Sequence, residues 1–154
     1  MRFFALVFLL FLLTSCNNNS SFELPLSEKT LKIAKSKIGS RYRYAAAGEN
    51  SFDCSGFVYW VYSKKLGIKI PRTSIDQSKI GKRLSKKALK KGDLVFFDTS
   101  GKGHVNHSGI YIGGGRFIHA SSGKAHSVTI SDINKGFYKD KFLWGISQKE
   151  IAKH

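Results

Sequence analysis

The sequence predicts an α+β fold, with N-terminal helices packed on a C-terminal antiparallel β-sheet. Before Asp93 the apolar residues recur at helical spacing between cap and stop signals. From Asp93 onward they fall into short β-rich runs, most of them separated by turn residues. Helices first and strands afterwards in one short chain argue for helices on one antiparallel sheet rather than alternating βαβ units. The 154 residues contain no internal repeat and only two prolines, Pro25 and Pro71. Beyond the first fifteen residues, the chain has the length of one domain with a real core.

In chain order, Met1-Arg2 precede an unbroken apolar run, Phe3 to Leu13, the length of a signal-peptide core and short for a membrane span. Leu13-Thr14-Ser15-Cys16 resembles a bacterial lipobox, which implies cleavage after residue 15 and acylation of Cys16. More than one acyl chain gives stable anchoring. The alternative is an ordinary secretory signal with a cysteine near its end. Asn17 to Ser21 reads as a polar tether, and the expected layout is signal 1–15, acylated cysteine and tether 16–26, and one folded domain 27–150.

Ser27-Glu28 open a first helix, with Leu31, Ala34 and Ile38 on one face and Gly39 as its stop. Arg41 to Tyr44 alternates, then gives way to a loop through Ala45-Ala46-Ala47-Gly48. A second helix runs from Asp53-Cys54-Ser55-Gly56 through Phe57 to Tyr62 and ends at Leu66-Gly67, capped by Asp53 or Ser55. Ser74-Ile75-Asp76-Gln77 fits a capping box after Pro71, and Lys86 to Gly92 is a basic connector. Strands are expected at 94–97, 108–112, 116–119, 128–130 and 142–146.

Cys54 carries the functional argument. At a helix N-terminus the macrodipole favours a thiolate, and a free thiol, with a pKa of about 8.5, needs only ~2.7 kcal/mol to drop two units. The Asp53 carboxylate opposes that shift, so histidines matter. With Cys16 acylated, Cys54 is the sole remaining thiol; a Cys16–Cys54 bridge is the rival and would exclude catalysis.

If the hairpin loop is Gly113-Gly114-Gly115, Ile112 pairs with Arg116 and Gly109 lies opposite His119. His107 and His119 then become diagonal neighbours on one face. A loop of two or four residues would separate them. His104 and His107 form H-x-x-H, but in a loop entering a strand such positions point apart, and the second thiol or carboxylate spacing of a zinc site is missing. No metal or cofactor is expected.

Ser51 to Val58, Pro71-Arg72-Thr73-Ser74 with Gln77, Lys91 to Phe97, His107 to Gly113 and Phe117 to Ser121 resemble the motifs of the NlpC/P60 cysteine peptidases, in the same order. The resemblance, from about Leu31 to Ile146, implies a papain-like fold. It also implies hydrolysis of peptidoglycan stem peptides next to a γ-D-glutamyl or diaminopimelyl residue. By position, Cys54 is the expected nucleophile, His107 the base and then acid, and His119 the third residue orienting His107. Tyr42 matches the tyrosine beside the nucleophile, and Asp53 and Ser55 match positions that bind substrate in some members. Tyr44-Ala45-Ala46 departs from the family's frequent Trp-Gly-Gly, and His104-Val105-Asn106 departs before the base.

The formal charge of +16 suits anionic polymers and headgroups, or reflects a solvated lysine-rich surface. No nucleic-acid motif is present, and nucleic acid is not an expected partner. The expected partners are stem peptides and, through Cys16, a membrane; the expected state is a monomer at the outer membrane. The rival functions are a non-hydrolytic wall-binding lipoprotein and an amidase or acyltransferase acting on lipid.

Overall fold

The structure is a computed structural model, and it describes residues 23–153. The signal segment, Cys16 and most of the tether lie outside the described residues. Helix α1 spans Leu26–Lys35 and buries Thr30, Leu31 and Ala34. It starts after Pro25 without a side-chain cap and stops short of Gly39, so Ile38, expected on the buried face, is 48% exposed. Gly39 instead takes φ +88° and donates its N–H to the Val128 carbonyl (2.8 Å), tying the helix exit to the sheet.

Strands β1 (Arg41–Tyr42) and β2 (Ser51–Phe52) pair in parallel and frame the loop between them. Helix α2 (Cys54–Tyr59) continues as a π-helical segment, Trp60–Lys65. Asp53 rather than Ser55 is the cap, accepting from the Gly56 N–H at 2.6 Å. Gly56 is required by close approach: a Cβ there would meet the Ala46 carbonyl of the preceding loop. Helix α3 (Ser74–Gln77) is capped by Thr73, which accepts from the Asp76 N–H, and not by Ser74. Gln77, freed from a capping role, is buried; its amide donates to the Ser55 and Pro71 carbonyls and accepts from Ser108.

The sheet comprises β3 (Arg83–Leu84), β4 (Leu94–Phe97), β5 (His107–Gly113), β6 (Arg116–Ala120), β7 (Val128–Asp132) and β8 (Phe142–Ile146), with α4 (Gln148–Ile151) after it. Its order is β3-β8-β4-β5-β6-β7, every neighbour antiparallel. The two-residue β3 carries too little pattern to be read from sequence.

The hairpin between β5 and β6 differs from the expected three-glycine loop. Gly113 pairs with Arg116 across a two-residue turn, and an irregularity between Tyr111 and Gly113 absorbs one residue. Beyond it Ile110 pairs with Ile118, the expected alignment, so the bulge restores the shared face that a plain two-residue loop would have lost.

Both sheet faces are covered. On one, Leu94, Phe96, Ile110, Ile118 and Ala120 pack against Leu31, Phe57, Val58 and Val61 of the helical layer. On the other, Val95, Phe97, Tyr111 and Phe117 pack with Ile133, Phe142 and Tyr138, the last from a 3₁₀ turn at Gly136–Tyr138. A fully buried side chain of this size contributes roughly 2–3 kcal/mol on either face.

Candidate active site

The thiol and the histidines approach from opposite layers. Cys54 comes over the end of β5 from the helical side. Its Sγ–H faces the Asn106 carbonyl at 3.8 Å, and the backbone N–H groups of Cys54, Ser55 and Ser108 point at the sulfur. Asn106 is itself fixed, its side-chain oxygen accepting from the N–H and hydroxyl of Thr99 at 2.9 and 3.0 Å. The sulfur thus lies against the backbone on both sides of His107.

His107 and His119 sit on the face turned away from the helices. Nε2 of His107 lies 2.8 Å from Nδ1 of His119, and Nε2 of His119 lies 2.9 Å from Ser131 Oγ. Their rings are nearly perpendicular and both are buried. Gly109 makes room for this pair: a Cβ there would press on Phe117 and His119. The Tyr138 ring stacks on His107 (centroids 5.7 Å apart, 25° between planes) and stands edge-on to His119 at 5.0 Å. Phe117 stacks on His119 at 4.6 Å.

That aromatic enclosure decides the electrostatics. Burial pushes His107 down to about 4, and burial followed by the neighbouring His107 pushes His119 well below the ordinary imidazole range. Burial also pushes the Cys54 thiol up, followed by the Asp53 carboxylate, against the three N–H groups. This reverses the expected lowering. The helix end is there, but desolvation of the sulfur outweighs it, so the resting pair at neutral pH is thiol and neutral imidazole.

Asp53 and Ser55, expected at the substrate, are engaged within the protein. Arg72 grips both oxygens of Asp53 at 3.1 and 2.8 Å, donates to Ser55 Oγ at 3.0 Å and reaches the Ala46 carbonyl at 3.3 Å. The guanidinium compensates the charge that acts on Cys54 and locks the loop to the helix start. Tyr42 stands beside the pair: burial raises its hydroxyl's pKa, and Cys54 and Asp53 raise it further. Its ring packs on His126 at 5.5 Å, and its N–H donates to the His126 carbonyl. His104 is exposed on its loop and does not join the site. No grouping of three or more metal-binding side chains occurs among the described residues.

Arg72 is visible in the sequence only as part of a motif, and Asn106, Ser131 and Tyr138 carry no signal of their own. Ser131 is on the face of β7 turned to β6, and Tyr138 comes from a turn 84 positions after Cys54 (138 − 54). Neither relation has a local period to reveal it.

A cavity of about 490 Å³ opens beside His107, lined by Thr99, Ser121, Ser122, Lys124, Phe137 and Tyr138 among others.

Known proteins resemble the chain in sequence and fold. Residues 39–147 match the NlpC/P60 family. The chain is 40% identical over 101 residues to the Haemophilus influenzae protein named "Probable endopeptidase NlpC homolog", covering 66% of this chain and 51% of that one. It is 38% identical over 104 residues to the Escherichia coli murein DD-endopeptidase MepS/murein LD-carboxypeptidase, covering 68% and 53%. The crystal structure of an NlpC/P60 family protein from Bacillus cereus superposes with a TM-score of 0.73 at 36% identity, covering 81% of this chain and 41% of that one. The chain spans about half the length of these curated relatives.

Proposed function

The chain belongs to the NlpC/P60 family, and from that premise we propose that it is a peptidoglycan hydrolase. It cleaves an amide in a stem peptide, next to a γ-D-glutamyl or diaminopimelyl residue, by a Cys54–His107–His119 thiol mechanism. The observation that carries this reading is the pair of contacts meeting at His107: the sulfur on the backbone flanking it, and its Nε2 at 2.8 Å from His119.

The mechanism requires one arrangement of the ring protons. For His107 to accept a proton on Nδ1, its Nε2 must carry hydrogen and donate to Nδ1 of His119, whose Nε2–H then donates to Ser131. His119 is thereby an acceptor that holds the His107 ring and stabilises its cation. As substrate binds, Nδ1 of His107 takes the thiol proton and the sulfur attacks the carbonyl carbon. The oxyanion is met by the Cys54 N–H and the Tyr42 hydroxyl. The tetrahedral species collapses, the C–N bond breaks, and His107 returns its proton to the departing amine. Water, activated by the same nitrogen, then releases the acyl group from sulfur.

The membrane assignment is part of the proposal: acylated Cys16 holds a monomeric domain at the envelope, at the outer membrane, and no cofactor is used. Labelled palmitate is then incorporated by wild type and not by Cys16→Ala.

The test of the activity is digestion of purified peptidoglycan by the mature protein, read by mass spectrometry of the released fragments. Wild type releases stem-peptide fragments whose masses name the bond, and Cys54→Ala releases none. Release by Cys54→Ala at the wild-type rate would overturn the mechanism. No release by folded, reduced wild type on several sacculus types would favour a wall-binding role.

A further inference from the structure

We propose that Asn106 is a positioning residue for the thiol: clamped by Thr99, it holds its own carbonyl as the resting acceptor of the Cys54 hydrogen, next to the base that takes it. The inference rests on the hydrolase reading and adds how the sulfur is placed before substrate arrives.

Asn106 stands in the stretch before His107 where the sequence departs from the family's usual pattern, and the proposed mechanism gives it no part. It closes the loop between β4 and β5. Its N–H donates to the Phe97 carbonyl at 3.1 Å, and Phe97 pairs with His107 across the two strands. Its side-chain oxygen accepts from both the N–H and the hydroxyl of Thr99. The arm carrying Thr99 is held in turn. The Asp98 carboxylate accepts from the N–H groups of Ser100, Gly101, Lys102 and Gly103 and from the Ser100 hydroxyl. Val105 pins the other arm by burial in the helical-side core. An asparagine gripped through backbone and side chain alike presents its carbonyl in one direction. None of these hydrogen bonds involves α2, so the acceptor is placed independently of the helix that delivers the sulfur.

The sulfur meets that carbonyl at 3.8 Å, one residue before the base. A hydrogen donated to a carbonyl stays on sulfur, and burial already disfavours the thiolate. When substrate binds, rotation about the Cβ–Sγ bond of Cys54 turns the S–H from Asn106 to Nδ1 of His107. The proton passes to nitrogen, and the electron pair left on sulfur attacks. Releasing the clamp therefore slows turnover and at the same time makes the thiol more acidic, because the S–H loses its acceptor and water reaches the sulfur. A brace with a structural role alone would lower stability and leave the thiol's titration in place.

The experiment reads two quantities on the mature protein: kcat and KM on a soluble stem-peptide substrate, and the pH dependence of Cys54 alkylation by iodoacetamide, followed by mass spectrometry. Asn106→Ala, its fold checked by circular dichroism, is expected to lose about ten-fold in kcat with KM nearly unchanged. Its alkylation midpoint moves down by about half a pH unit. Thr99→Val removes one of the two bonds and keeps the shape, so it moves both readouts the same way by less. Thr99→Ser keeps both bonds and the wild-type values. An alkylation midpoint in folded Asn106→Ala at or above that of wild type overturns the inference, as does an unchanged kcat. Equal losses in Thr99→Val and Thr99→Ser overturn the clamp. Should Asn106→Ala fail to fold, a wild-type midpoint in Thr99→Val overturns the inference. If wild type cuts no stem peptide, the hydrolase reading falls, and the alkylation midpoints still decide how the sulfur is placed.

Discussion

The two faces of the sheet do different chemical work. The helix-covered face is mainly aliphatic and aromatic packing, and it delivers one reactive atom, the Cys54 sulfur, over the end of β5. The opposite face is an aromatic enclosure of Phe97, Phe117 and Tyr138 around two hydrogen-bonded imidazoles. The first face sets where the Cys54 sulfur stands. The second buries His107 among rings that strip water from it, and the proposed mechanism asks its Nδ1 to take the thiol proton. Helix-side changes are therefore expected to alter stability and the thiol, and changes on the aromatic face the imidazole.

The largest effect tests the second face at its centre. His107→Ala is expected to lower kcat by about 10³-fold, within the range for a positioned acid–base group, with the fold retained by circular dichroism. A loss below ten-fold would break the division of labour. On the helical face, Phe57→Ala removes a fully buried ring that packs edge-on to Phe52. It should cost about 3–5 kcal/mol in denaturant unfolding and leave the pH profile of the remaining folded enzyme in place.

Acid unfolding sharpens the contrast without a mutation. His107 is held down to about 4 in the folded chain, so between there and the ordinary imidazole value the unfolded chain binds the extra proton. Its contribution is fully present above about pH 6.5 and is lost as pH falls towards 4, roughly 3 kcal/mol, with His119 acting in the same direction. Unfolding free energies measured from pH 7 to 4 check it; a flat curve contradicts the burial of the pair.

Tyr138→Leu opens the aromatic side and should move the acid limb of kcat/KM upward by about one pH unit, while Tyr138→Phe leaves it unmoved. Arg72→Met strips Asp53 of its compensating charge beside the thiol. It should move the alkaline limb upward by about half a unit and leave the acid limb alone. An acid-limb shift in Arg72→Met would erase the distinction between the faces.

Much of the helical face is legible in the sequence, because Phe57-Val58 and Leu31 with Ala34 repeat at helical spacing and Asp53 marks a cap. The shared face of His107 and His119 is legible through strand alternation, although by a different turn: the bulge near Ile112 leaves no trace in the sequence, and its effect cancels that of the shorter loop. Chain-distant relations are not legible. Tyr138 reaches the histidines from a 3₁₀ turn, and Arg72 reaches Asp53 across 19 positions. The thiol shift has the opposite sign to the one expected for the same reason: the helix end is a local feature, whereas burial of the sulfur depends on β5 arriving over it.

The most direct measurement is the pH dependence of kcat/KM for the wild-type enzyme on a stem-peptide substrate. The neutral thiol–imidazole pair holds the one proton the reaction needs, so activity should persist down to an acid limb near pH 4, where His107 protonates. An acid limb at or above about 6.5, the ordinary imidazole value, would contradict the claim that the aromatic face sets the base.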